Sequence, residues 1–177
     1  STVKKYKHQW NLIDAVGLLR KEGISVELHL VGAGDSQALE IMRAAIHRNK
    51  SEKNFVFYHG SLPYEQTLEC YQKADIFVFP STCETFGISL LEAMTAGLPI
   101  AASDRGPMPE VLKDAGLYFN PESVTSIKKC LRYMIDNPDL MQSLGSKAKK
   151  YSENYSWGKC ADETFAFLSS VYEKNKT

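Results

Sequence analysis

At 177 residues the chain has the length of one domain and ample material for a core, and its 44% hydrophobic fraction is that of an ordinary globular protein. Lysine plus arginine number 21, as do aspartate plus glutamate, so no net field exists to recruit nucleic acid. No apolar run is long enough to span a bilayer, and the four cysteines (Cys70, Cys83, Cys130, Cys160) show neither C-x-x-C pairing nor a metal-ligand rhythm, which reads as reduced thiols.

The segment Lys4 to Trp10 leads into a helix whose stripe carries Leu12, Val16 and Leu19 and which ends near Gly23. Val26–Val31 alternates as a strand and stops at Gly32-Ala33-Gly34-Asp35. Ser36 is the expected N-cap of a second helix that buries Leu39, Met42 and Ile46. Asn54–Tyr58 reads as a strand closed by His59-Gly60, and Pro63 opens a helix through Leu68 and Tyr71. Ile76–Phe79 is a short apolar run typical of a strand buried on both faces, broken by Pro80 and followed by the helix Ile88–Met94.

Further on, Pro99–Ala102 and Gly116–Phe119 read as strands around a brief helical turn at Pro109–Leu112. Ser123 caps a helix carrying Ile127, Leu131 and Met134, and Asn137-Pro138 starts another through Leu140 and Leu144. Ser156-Trp157 introduces a terminal helix with Ala161, Phe165, Leu168 and Tyr172 on one face; Trp157 and Phe165 are expected in the core, while part of that face is expected to lean on an amino-terminal domain outside the chain and, without it, to be exposed or buried by self-association. Strands alternating with helices predict an α/β fold, a Rossmann-like doubly wound parallel sheet with helices on both faces, over 1–177 as one domain.

In such a sheet ligands sit outside the carboxyl ends of the strands, so the turn from Phe79 to Ile88 is where one is expected. Free N–H groups in the first turn of a helix are a seat for phosphate, and Gly87, having no Cβ, lets an anion approach the backbone. Glu84 and Glu92 flank that seat; carboxylates repel phosphate but accept from sugar hydroxyls. A ligand anionic in its middle and hydroxylated at both ends, a nucleotide-sugar, fits the pattern.

Pro80-Ser81, Glu84-Thr85-Phe86-Gly87, Leu91-Glu92-Ala93-Met94 and the tail Ala96-Gly97-Leu98-Pro99-Ile100 together resemble the E-x7-E signature of family-four retaining glycosyltransferases of the GT-B fold. The resemblance runs from about Lys4 to Tyr172 and matches the carboxyl-terminal, donor-binding half of such an enzyme, so a fragment is expected whose amino-terminal acceptor domain lies outside it. It implies that Glu84 holds hydroxyls of the donor hexose, that Gly87, Ile88 and Ser89 offer backbone N–H groups to the pyrophosphate, and that Glu92 grips the ribose. Lys7 resembles the family's phosphate lysine, with Lys4 and Lys5 competing for the role, and Ser61 and Leu62 match a loop whose backbone contacts the base. The family's arginine before that lysine would fall at Ser1 or Thr2, so a second cation is missing from the pattern.

The implied donor is a nucleotide-diphosphate sugar such as a UDP- or GDP-hexose, with no further cofactor. The acceptor would be a glycan or lipid-linked molecule met through the amino-terminal domain, in the cytoplasm, and peripheral association of the full enzyme with the inner membrane face is compatible with this. No Asp-x-Asp pair occurs, which argues against a metal-held pyrophosphate. Gly32-Ala33-Gly34 lacks the third glycine of a dinucleotide fingerprint, Gln37 standing in its place. Two other readings stay open: a nucleotide-sugar epimerase of GT-B architecture, and a non-catalytic nucleotide-binding module. The isolated chain is expected to bind donor without transferring sugar.

Overall fold

The computed structural model describes residues 2–50 and 54–174; Ser1, one of the two positions matching the family arginine, lies outside them. Among the described residues the strands form two parallel sheets rather than the single one expected. In the first, β1 (Leu28–Val31) pairs with β2 (Val56–Gly60), His29 opposite Phe57, with a register shift between Leu30 and Val31. In the second, the order is β3 (Phe77–Phe79), β4 (Ile100–Ser103), β5 (Leu117–Phe119). All five strands are short, and past β1 the pairing continues as the isolated bridge Val3–Gly34, with Val3 N–H donating to Ala33 O at 2.6 Å.

β4 is buried along its whole length, and its alternation sorts the core. Ala101 faces one apolar cluster with residues of α1 (Gln9–Lys21), α2 (Ser36–Arg48) and α6 (Val124–Ile135). Ile100 and Ala102 face a second cluster built by α4 (Ile88–Thr95), α5 (Met108–Leu112) and α7 (Pro138–Ser152). Helices therefore cover both faces, as a strand apolar on both sides requires.

Local signals set the helix starts. Ser123 caps α6 by accepting from Ser126 N–H at 3.2 Å, and Pro138 opens α7 where its missing N–H has no intrahelical use. At α2 the cap is Asp35, which accepts from Ala38 N–H at 2.9 Å, and Ser36 is the first helical residue. The cap thus falls one residue before the expected Ser36, because it is the Asp35 carboxylate that reaches the free N–H.

One expectation fails at the end of the chain. α8 (Trp157–Lys174) has no buried residue, and Trp157 and Phe165, expected in the core, are 82% and 70% exposed. The aromatic residues that mark an apolar face say nothing about what lies opposite it. α3 (Tyr64–Lys73) likewise has no fully buried residue; Tyr71, half-buried against Phe77 with ring centroids 5.7 Å apart, ties it inward. No helix among the described residues is long and apolar enough to cross a membrane.

Candidate functional site

β3 ends at Phe79, and the chain turns through Pro80–Phe86 before α4 begins. That turn is fastened to a single 3₁₀ turn at Lys5–Lys7, just ahead of α1. The Tyr6 carbonyl accepts from Thr82 N–H at 2.8 Å and meets the hydroxyls of Thr82 and Ser81 at 3.2 and 3.3 Å. His8 takes a left-handed backbone conformation, φ 48°, and its Nε2 lies 3.1 Å from Thr82 Oγ1. Burial lowers the His8 pKa, which favours the neutral ring.

This fastening brings Lys7 to the turn. Lys7 is only 7% exposed, its ammonium donates to Glu84 Oε1, and it stands over the Phe79 ring, 5.1 Å from the centroid. Such burial is tolerable because the charge is paired and faces an aromatic surface. Gly87 precedes α4 with φ 90°, where a side chain would be strained, and a Cβ there would come 3.3 Å from the same Phe79 ring. Phe79 is thus a shared floor under the cation and under the start of the helix.

Above it opens a cavity of about 310 Å³ lined by Thr2, Lys7, Phe79, Glu84, Thr85, Phe86, Gly87, Ile88 and Ser89. The first N–H groups of α4 have no intrahelical acceptor and border this space with the positive end of the helix dipole. Charge in the wall is balanced: the Glu84 carboxylate is neutralised by Lys7, so the helix end is left to attract an anion. An ammonium has three donors, so pairing with Glu84 does not exhaust Lys7.

Of the residues singled out in the sequence, Lys7, Glu84, Gly87, Ile88 and Ser89 come together around this cavity, and neither Lys4 nor Lys5 lines it. Lys4 instead pairs with Asp35 at 3.2 Å. Glu92, Ser61 and Leu62 are not in the cavity wall. Glu92 sits farther along α4 and accepts from the Tyr71 hydroxyl at 2.9 Å. Thr2, at the other position matching the family arginine, lines the cavity without a charge to offer. The Gly32–Gly34 loop is taken up by pairing: Gly32 N–H donates to Gly60 O at 2.7 Å, and Tyr58 donates to Gly32 O at 2.9 Å.

Sequence reasoning missed Phe79 and Tyr71, both counted simply as apolar members of their elements. For Tyr71 a signal existed, because a half-buried tyrosine needs a partner for its hydroxyl where a phenylalanine would not. Among the described residues no group of three or more His, Cys, Asp or Glu is gathered to hold a metal ion.

The sequence and the fold have relatives among known proteins. Over 105 residues the chain is 31% identical to sulfoquinovosyl transferase SQD2 of Arabidopsis thaliana, covering 56% of this chain and 21% of that protein. Its fold superposes on sucrose-phosphate synthase of Thermosynechococcus elongatus with a TM-score of 0.83 at 20% identity, over 97% of this chain and 44% of the other. Anabaena Alr3699/HepE, solved in complex with UDP-glucose, gives a TM-score of 0.82 at 23% identity, over 96% and 47%. The chain thus spans less than half the length of each of these three. Residues 1–151 match the family described as glycosyl transferases group 1, and the chain belongs to that family.

Proposed function

We propose that the cavity at the start of α4 receives the diphosphate of a nucleotide-diphosphate sugar, within a retaining hexosyltransferase of the GT-B fold. The observation that carries this reading is the meeting of Lys7, Glu84 and the free N–H groups of Gly87 to Ser89 around one space. Lys7 and the helix end attract the diphosphate, Glu84 accepts from hydroxyls of the hexose, and Glu92 accepts from the ribose. The base would lie toward Ser61 and Leu62. UDP-glucose in the Anabaena relative supports a donor of this class.

Departure of a nucleoside diphosphate builds negative charge on the leaving oxygens. Lys7 and the α4 amides, fixed in advance by the Tyr6 fastening and the Phe79 floor, stabilise that charge without reorganising. Retention follows if the acceptor hydroxyl attacks from the same face and passes its proton to a leaving phosphate oxygen. The acceptor, a glycan or a lipid-linked molecule, would be held by a further domain in a cytoplasmic enzyme working at or near the inner membrane face.

Calorimetric and thermal-shift titration of UDP-, GDP- and ADP-hexoses tests the reading. A donor at a hundred times its dissociation constant should stabilise the chain by about 2.7 kcal/mol. Lys7→Ala should remove that stabilisation. If none of the nucleotide-sugars binds at millimolar concentration, or if binding is indifferent to Lys7, the reading is wrong.

A further inference from the structure

Glu92 is a polar side chain on a helix, with several rotatable bonds, and it lies outside the cavity wall. Its hydrogen-bond partner among the described residues is Tyr71, whose hydroxyl donates to Glu92 Oε2 at 2.9 Å and also lies 3.3 Å from Ser89 O. The contact spans two helices: Tyr71 belongs to α3, Glu92 and Ser89 to α4. The Tyr71 ring is itself held, tilted at 52° against Phe77 of β3. Phe77 in turn stacks with Phe79, the cavity floor, with ring centroids 5.8 Å apart.

α3 contributes no fully buried residue, so Tyr71 is not simply one of many core contacts along that helix. Burial, reinforced by the neighbouring carboxylate, raises the Tyr71 pKa strongly, and the phenol therefore remains a donor through the whole physiological range. A hydrogen bond to one carboxylate oxygen fixes the plane of the group and leaves the other oxygen, with its lone pairs, to accept from a ligand.

We propose that Tyr71 is a positioning residue for the nucleotide end of the donor site, holding the Glu92 carboxylate in the orientation that receives the ribose hydroxyls. This rests on the reading of Glu92 given above as the ribose acceptor. The device is indirect: Tyr71 touches the carboxylate, and the carboxylate touches the sugar. Its effect is therefore on discrimination between ribose and a sugar lacking those hydroxyls, and not on diphosphate binding as such.

The test uses UDP, GDP and ADP with their 2′,3′-dideoxy counterparts, titrated calorimetrically into the 177-residue chain. For the preferred base the native chain should bind the ribonucleotide about tenfold more tightly than the dideoxynucleotide, as expected for a hydrogen bond to a charged group. Tyr71→Phe keeps the ring against Phe77 and should melt as the native chain does. It should cut the preference to under about threefold while leaving dideoxynucleotide affinity within about twofold. Glu92→Ala should abolish the preference, and adding Tyr71→Phe to it should change nothing more, as required of a residue acting only through Glu92.

An unchanged preference in Tyr71→Phe overturns the inference and leaves the ribose reading of Glu92 standing. Equal loss of affinity for both nucleotides in Tyr71→Phe, or an additive double variant, also overturns it, since Tyr71 would then act on the site by another route. If the native chain itself does not distinguish ribose from dideoxyribose, the reading of Glu92 falls first and the inference with it.

Discussion

Lys7 and Glu84 stand 77 residues apart in the chain and share a hydrogen-bonded ion pair in the cavity wall. Their side chains are 9% and 14% exposed, so the pair is nearly enclosed but open on the side of the cavity. Removing one partner of such a pair leaves the other as an uncompensated charge.

Glu84→Gln should therefore destabilise the chain by about 2–3 kcal/mol, somewhat less than the roughly 3–5 kcal/mol of a fully enclosed pair. Urea unfolding measures this. Inorganic pyrophosphate should recover part of the loss by supplying negative charge to Lys7, and a variant as stable as the native chain would show the pair to be solvated.

Gly87→Ala should weaken diphosphate binding by at least about tenfold, because the new methyl must fit beside the Phe79 ring in a backbone conformation that L-residues avoid. Titration with a nucleoside diphosphate reads the effect. Unchanged affinity would mean that the ligand does not approach this backbone.

Gly145→Ala tests the packing beneath the site. A Cβ at Gly145 would fall 2.4 Å from Gly97 O, so α7 would have to move away from the turn that ends α4. Overpacking of this kind costs about 1–3 kcal/mol, to be seen as a lower melting temperature.

Alkaline pH should weaken the fold through two groups. Burial raises the Cys130 thiol from 9.0 to about 11, and burial with Asp114 nearby raises the Tyr118 phenol from 10.0 to about 12. Both pKa values are higher in the folded state than in the unfolded one. Their stabilising contribution is thus complete below pH 9 and lost as pH rises through 11 and 12. Cys130→Ala should flatten the lower part of that decline in a pH series of urea midpoints. The same burial should keep Cys130 from native-state alkylation, while exposed Cys83 and Cys160 react.

Ending the chain after Ser156 should barely change the melting temperature, because no residue of α8 is buried. It should reduce self-association at high concentration, since Trp157, Phe165, Phe167 and Leu168 are all exposed. Sedimentation of the two forms decides this.

The cavity itself was largely legible in the sequence, because a strand, a proline break, an F-G step and a helix are local signals, and the helix end follows from them. Lys7 could be nominated only through the family resemblance, and its choice over Lys4 and Lys5 depended on the fastening of Tyr6 to Thr82, a contact between distant segments. The helix pattern of α8 was equally clear, yet whether its aromatic face is covered is a tertiary fact. The division into two sheets was not legible either, since strand pattern states which residues face a core and not how far the pairing runs.

The Tyr6 carbonyl, accepting from Thr82, is a rivet between the first few residues and the middle of the chain. Its consequence concerns folding order. The fragment from β3 to α4 carries both signature glutamates, yet by itself it lacks the lysine that neutralises one of them. The proposed diphosphate seat is therefore complete only once that long-range contact has closed, and a titrated diphosphate should report on completed topology instead of on helix formation.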